Sequence, residues 1–427
     1  MMAASLLQKH LAKRRHGILS GVTSVCSAHP WVIRASAEQA LESGQILLIE
    51  ATSNQVNQFG GYTGMRPEAF RKFVLRHVAD VGLSDEKLVL GGDHLGPNPW
   101  RNLPASEAMA HAETMVTEYV RAGFTKIHLD ASMQCIDDAV SLPDETIAQR
   151  TLQLCRAAER AVLQNSAPVY VIGTEVPVPG GATHSVHKVE VTSVSAAAHT
   201  FDVHRRLFQS QGLEGAWSRV IALVVQPGVE FGHDSVVDYD RAEAQALKRW
   251  LQTDADGIVF EAHSTDYQLP SAYGALVQDG FAILKVGPAL TFAMREALYA
   301  LEDIETQLVS KVKRSSLSRV VEDVMLGAPA DWQPYYAGSA ETQKLMRVYS
   351  YSDRVRYYWQ RPEVALAVNQ LISNLSTLDI PESMCSQYLP RQYARLRSKE
   401  LKKEPVPMIV DHIRMVLRGY ATACDRY

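Results

Sequence analysis

Eight short runs rich in valine, isoleucine and leucine recur along the first 290 residues, and this repeat constrains the fold more than any other feature of the chain. They are "GVTSVCS" from Gly21, "QILLIEATS" from Gln45, "KLVLGGDH" from Lys87 and "KIHLDAS" from Lys126, then "VYVIGTEVPVPGG" from Val169, "RVIALVVQPGVEF" from Arg219, "GIVFEAHSTD" from Gly257 and "FAILKVGPA" from Phe281. Segments such as "SEAMAHAETMVTEYVRAG" lie between them, with apolar residues at helical spacing. Near-continuous apolar strands alternating with amphipathic helices predict a parallel sheet buried on both faces. Eight such units predict an α/β fold, a (β/α)8 TIM barrel with right-handed crossovers. A doubly wound open sheet would normally carry a glycine-rich phosphate loop after an early strand. Here only "FGGYTGM" near Gly60 is glycine-rich, and a lone pattern of that kind is weak evidence for a nucleotide.

The strand rhythm stops near Asp303, and "PEVALAVNQLISNL" and "VPMIVDHIRMVLRGY" have helical spacing. The chain therefore divides into a barrel over residues 1–302 and a helical C-terminal extension over 303–427, packed on the barrel. With 46% hydrophobic residues, 21% charged and a net charge of −4, the composition is that of a soluble protein without a nucleic-acid or membrane-surface partner. Five scattered cysteines without a CxxC pair predict a reducing, cytoplasmic setting, and no apolar run approaches the length of a membrane span.

In barrel enzymes the active site lies at the C-terminal ends of the strands. Those ends here carry Glu50, Asp93, His94, His128, Asp130, Glu175, Gln226, Glu261, His263 and Lys285. One polar residue at a strand end is usually a satisfied core hydrogen bond, but so many at one rim predict a polar pocket. His94 and His263 with an acid such as Glu175 suit a divalent metal (zinc, manganese, cobalt or nickel), and His233 is an alternative ligand nearer a loop. Such a metal would polarise a carbonyl while Asp93 or Glu175 moves the proton. Lys285 could form a Schiff base, but its setting better suits holding an oxyanion or pairing a buried carboxylate. Barrel phosphates often bind after strands seven and eight, which nominates Ser264, Thr265 and Gly287. Further on, "YSYSDRVRYYW" offers Arg354 and Arg356, either as phosphate forks or as arginines packed against the barrel.

These stretches carry a resemblance. "LIEATSNQVNQFGGYTGM", "GGDHLGPNPWRNLPA", "TKIHLDASM", "YVIGTEVPVPGGA", "IALVVQPGVEF", "FEAHSTDYQ", "LKVGPALTFAMREAL" and "YSYSDRVRYYW" closely resemble the GatZ/KbaZ family over nearly the whole chain. The resemblance implies a Z subunit of tagatose-1,6-bisphosphate aldolase, in galactitol or N-acetylgalactosamine catabolism. Such a subunit would support the activity and stability of a separate catalytic Y chain acting on a phosphorylated ketohexose. Some relatives are assigned instead as tagatose-6-phosphate 4-epimerases. "GGDH" is similar to the Asp-His pair of class II aldolases, which would make Asp93 the acid–base group and His94 a metal ligand, and "FEAH" would place a second ligand at His263. The third aldolase histidine has no clean match, because strand six ends in "VVQPG" and His233 is displaced beyond it.

Overall fold

The computed structural model describes residues 3–139, 141–163, 167–173 and 189–424. Each of the eight apolar runs supplies one strand: β1 (Val22–Cys26), β2 (Leu47–Thr52), β3 (Leu88–Leu95), β4 (Lys126–Leu129), β5 (Val169–Ile172), β6 (Val220–Val224), β7 (Val259–Ala262) and β8 (Phe281–Val286). All pair in parallel in sequence order, and β8 returns to pair with β1, so the sheet closes. The fold is the (β/α)8 barrel, and closure excludes the open sheet.

A helix α1 (Ala3–Ala12) precedes the barrel, and α2 (Pro30–Ser43), α3 (Pro67–Val81), α4 (Ala105–Arg121) and α5 (Asp144–Ala161) follow the first four strands. Next come α6 (Val194–Ser210), the single turn α7 (Glu214–Trp217), α8 (Gln245–Asp254), α9 (Pro270–Gln278) and α10 (Pro288–Leu308). Four of these helices begin with proline, which loses nothing there because the first-turn N–H has no intrahelical acceptor. Helix α4 shows why the intervening segments wrap the sheet: Ala108, Met109, Ala112, Met115, Val116, Tyr119 and Val120 form one buried stripe.

Inside the barrel the lower layer is apolar. Val22, Leu48, Val89, Val169, Ile221, Val259 and Ile283 form one cluster with Leu7 and Leu11 of α1, so this first helix caps the N-terminal end. Two glycines of "GGDHLG" then allow the strands to approach. A Cβ on Gly91 would lie 2.7 Å from the Glu50 Cγ, and one on Gly96 would lie 1.6 Å from the Asp130 carbonyl oxygen.

Beyond α10 lie α11 (Leu317–Gly327), α12 (Ala340–Tyr349), α13 (Pro362–Ser376), α14 (Glu382–Tyr388), α15 (Pro390–Arg397) and α16 (Pro405–Cys424). Helix α16 packs along α2, α9, α10 and β1, and its last residue, Cys424, accepts a backbone hydrogen bond from Gly21 at 3.1 Å. A short turn, Arg354–Tyr357, reaches the barrel mouth between α12 and α13. Among the described residues no helix is long and apolar enough to cross a membrane.

The Gly96 contact is with backbone, which cannot rotate away. Gly96→Ala is expected to destabilise the protein by about 3 kcal/mol or more. Gly215→Ala, at a site with no atom within 4 Å of the added Cβ, should be nearly neutral. Chemical denaturation of both variants checks this, and equal midpoints would show that the strands move apart freely.

Candidate active site in the barrel mouth

Strand alternation turns Lys126 and His128 of β4 into the barrel, with Asp130 just beyond the strand, and likewise Glu261 and His263 at β7. Glu50 from β2, Asp93 from β3 and Lys285 from β8 join them. The result is a buried ladder of alternating charge. Lys126 Nζ lies 2.5 Å from Glu50 Oε1 and 2.7 Å from Glu261 Oε2. Lys285 Nζ lies 2.7 Å from Glu50 Oε2, 2.6 Å from Asp93 Oδ1 and 3.7 Å from Glu261 Oε1. Burial alone would lower both lysine pKa values, but the facing carboxylates outweigh it and raise them. Lys285 is therefore held as an ammonium ion, which suits charge pairing and not the free amine a Schiff base needs.

Above the ladder stand three imidazoles, with ring centroids 5.0 Å apart for His94 and His263, 5.2 Å for His94 and His128, and 5.4 Å for His128 and His263. His94 has a left-handed backbone (φ 48), a conformation that costs energy in a non-glycine residue and clusters at functional sites. Its Nδ1 lies 2.8 Å from Asp130 Oδ2, and its Nε2 lies 3.7 Å from Asp93 Oδ2. Burial works against ionising both Asp93 and His94, yet their mutual attraction prevails. The Asp93 carboxyl, also facing Lys285 and His128, sits well below the usual range, and the His94 imidazole, also facing Asp130, sits above its own. Burial instead dominates at His263 and lowers it to about 4, leaving a neutral ring 3.0 Å from Glu261 Oε1. His128 Nδ1 lies 2.9 Å from Asp93 Oδ1, while its buried Nε2 has no hydrogen-bond partner among the described residues.

The cavity above this floor is lined by Asp93, His94, His263, Ser264 and Lys285, and by Arg356 and Tyr357 of the C-terminal region. Cys26, Asn54, Gln55, Tyr62 and Asp266 also line it, none of them nominated by the sequence pattern. Ser264 has φ 53 and bonds Glu230, whose carboxyl burial pushes up to about 7. The Gly287 and Ala289 amides donate to Asp266 Oδ1 at 3.0 and 2.9 Å, so the start of α10 is already capped. Burial raises that Asp266 carboxyl to about 6.

Other expected residues fall elsewhere. Arg354 does not line the cavity; it is buried, lies 3.3 Å over the Tyr335 ring and donates to the Asp331 carbonyl. His233 follows the short strand Glu230–Phe231, and its Nδ1 lies 3.0 Å from Ser350 Oγ, beside the Tyr336 ring. Gln226 organises a turn, its Oε1 accepting from Gly228 and Val229 at 2.8 and 3.0 Å. Thr265 donates to the Lys285 carbonyl at 2.6 Å. Glu175 lies outside the described residues.

The donor set suits a divalent cation. Ligand atoms of Asp93, His128, Glu261 and His263 all lie within 4.8 Å of one another, offering two imidazoles and two carboxylates. The buried, unpartnered His128 Nε2 and the neutral His263 ring fit the same ion. His94, one of the expected ligands, is outside this group, with Nδ1 turned to Asp130.

A closed parallel barrel whose mouth gathers acids, imidazoles and ammonium groups places the chain among the TIM-barrel proteins. Residues 7–425 match the family of D-tagatose-1,6-bisphosphate aldolase subunits of the GatZ/KbaZ-like type, and the chain belongs to that family. It is similar to the crystal structure of a probable tagatose 6 phosphate kinase from Sinorhizobium meliloti 1021, with 51% identity, 95% of this chain and 100% of that chain covered, and a TM-score of 0.88. Much weaker likenesses reach the YdjI aldolase of Escherichia coli K12 (11% identity, 83% and 95% covered, TM-score 0.43) and the fructose-bisphosphate aldolase of Campylobacter jejuni (12%, 88% and 93%, 0.45).

Removing one rung of the ladder strands its neighbours. Lys126→Met is expected to cost about 3–5 kcal/mol, because Glu50 and Glu261 lose their shared cation inside the barrel. The double variant Lys126→Met/Glu261→Gln should recover part of that loss. Thermal denaturation of the wild type, both single variants Lys126→Met and Glu261→Gln, and the double variant tests the coupling, and additive effects of the two changes would exclude it.

Proposed function

We propose that this chain is a Z-type component of tagatose-bisphosphate aldolase, acting with a catalytic Y chain on a phosphorylated ketohexose, with the barrel mouth as its own sugar-phosphate site. The observation that carries this reading is the family match over residues 7–425. The name of the Sinorhizobium relative, which also specifies a phosphorylated tagatose, supports the same substrate class. On this reading the sugar comes from galactitol or N-acetylgalactosamine, a source in keeping with the family.

A second reading is favoured by the charge ladder: a metal-dependent tagatose-6-phosphate 4-epimerase working without a partner. His128, His263, Asp93 and Glu261 would hold the cation, which when bound supplies Lewis-acid polarisation of the ketose carbonyl. His94, oriented by Asp130, presents Nε2 as the proton-carrying atom, and Asp93 Oδ2 beside it is the receiving oxygen. Lys285 keeps Asp93 in place and ionised. The buried floor excludes water beneath the sugar, so a proton passes between these side chains and the substrate. Inversion at C4 fits cleavage of the C3–C4 bond, rotation of the aldehyde and re-addition. A tagatose-1,6-bisphosphate aldolase breaks the same C3–C4 bond, but its C1–C3 fragment carries a phosphate that tagatose 6-phosphate lacks.

The experiment uses the purified chain, tagatose 6-phosphate as substrate and fructose 6-phosphate as product. Turnover that chelator abolishes and divalent metal restores establishes the epimerase. In that case Asp93→Asn and His263→Ala should each lower kcat by at least about 100-fold. Silence alone, with stimulation of a co-purified Y chain that both variants retain, establishes the accessory role. Metal content by plasma mass spectrometry, expected to fall in His128→Ala and His263→Ala, tests the ligand set apart from activity.

A further inference from the structure

We propose that Arg356 is the anchor for a phosphate monoester, which binds in a chamber between the loop after β1, the loop after β2 and the start of α10. This site deepens the sugar-phosphate reading above and rests on it for the identity of the substrate. Arg356 lines the main cavity together with Asp93, His94 and His263. It also lines an adjoining chamber with Ser27, Gln55, Tyr62, Thr291 and Gln360.

Three buried arginines face carboxylates: Arg295 lies 3.8 Å from Asp353, Arg347 lies 2.5 Å from Glu322, and Arg414 lies 3.5 Å from Glu38. Arg354 and the half-buried Arg356 do not, and of these two only Arg356 lines the cavity. Arg356 donates only to neutral oxygens, the carbonyls of Ser352 and Asp353 and the Tyr357 hydroxyl at 2.9 Å. No carboxylate forms an ion pair with it among the described residues. Asp353 and Asp266 attract it from beyond ion-pair distance, so no carboxylate occupies its planar fork, which matches two phosphate oxygens.

Two further features select this place. The start of α10, where barrel phosphates often sit, is already committed to the Asp266 carboxyl through the Gly287 and Ala289 amides. The turn that carries Arg356 is also fixed from three sides. The Tyr351 carbonyl accepts from the Tyr267 hydroxyl at 2.7 Å, and the Tyr351 amide donates to the His233 carbonyl at 2.8 Å. Asp353, at φ 44, accepts from Thr291 Oγ1 at 2.5 Å. Tyr267 itself has φ 65, so left-handed backbone is spent on both sides of this clamp. The guanidinium is thereby held in position before any ligand arrives, which lowers the entropy cost of binding. Tyr62, whose ring meets that of Tyr357 at 4.8 Å, closes the outer wall.

The test uses the full-length chain and inorganic phosphate as probe, measured by isothermal titration calorimetry, beside kcat and KM for tagatose 6-phosphate. Arg356→Ala is expected to weaken phosphate binding at least tenfold and to raise KM for the sugar phosphate more than it lowers kcat, with metal content unchanged. Arg356→Lys, which keeps the charge and loses the fork, should fall between that variant and the wild type. It carries the test if the alanine variant does not fold. Wild-type affinity for phosphate in both variants, or no phosphate binding by the wild type, overturns the site. If phosphate binding depends on Arg356 but the wild type neither turns over sugar phosphate nor stimulates a Y chain, the site stands and the functional reading falls. Sugar-phosphate turnover with KM unchanged in Arg356→Ala removes the site and leaves the functional reading standing.

Discussion

The barrel mouth depends on one constraint: charges buried in the middle of a barrel must neutralise one another, because water cannot. Lys126 and Lys285 are each shared between carboxylates, and Glu50 and Glu261 each face both lysines. Taking an ion out of water costs several kcal/mol, and only close, well-aligned partners repay it. Each rung is thus placed by the one beside it. The last rung, Lys285 to Asp93, hands that fixed geometry to the imidazoles above. Gly91 belongs to the same constraint, since a side chain there would collide with Glu50 and displace the first rung.

Layering explains how a barrel can carry such a ladder and still fold. Its lower third is packed with valine, leucine and isoleucine and capped by Leu7 and Leu11, which provides the apolar burial that drives collapse. The charged layer begins where that core ends. At the opposite end the turn at Arg354–Tyr357 comes from far along the chain and contributes to the cavity wall. The C-terminal helices therefore shape the site from outside while the strands shape it from within.

The fold was legible because strand period and helix period are local properties, and eight repeats of the pair leave few alternatives. Much of the rim was legible for the same reason: Asp93, His94, His263 and Lys285 end apolar runs and line one cavity. Lys126 escaped notice because it begins its strand, although its spacing from His128 and Asp130 puts all three on one face. The separation of Arg354 from Arg356 was beyond local reasoning. Two residues apart in an irregular turn, they have no fixed periodicity, and only the tertiary clamp sends one to Tyr335 and the other to the cavity. Asp266 was missed likewise, since a helix cap delivered from a preceding loop leaves no mark at the helix start itself.

A subunit that served only as a scaffold would have little physical use for this interior. Replacing a buried ion pair by well-packed apolar residues is often neutral or stabilising by about 1–4 kcal/mol. The strained backbones of His94 and Ser264 at the same mouth add further cost, about 1–3 kcal/mol each for a residue in the left-handed region. A chain shaped by stability alone could relieve both, with glycine at the strained positions and leucine or methionine on the ladder. The mouth instead combines unrelieved strain, a guanidinium without an ion pair and an orphaned imidazole nitrogen around one cavity. Each has a physical purpose when an anionic, oxygen-rich ligand and a cation occupy that space. This arrangement supports the proposed reading of the mouth as a binding site.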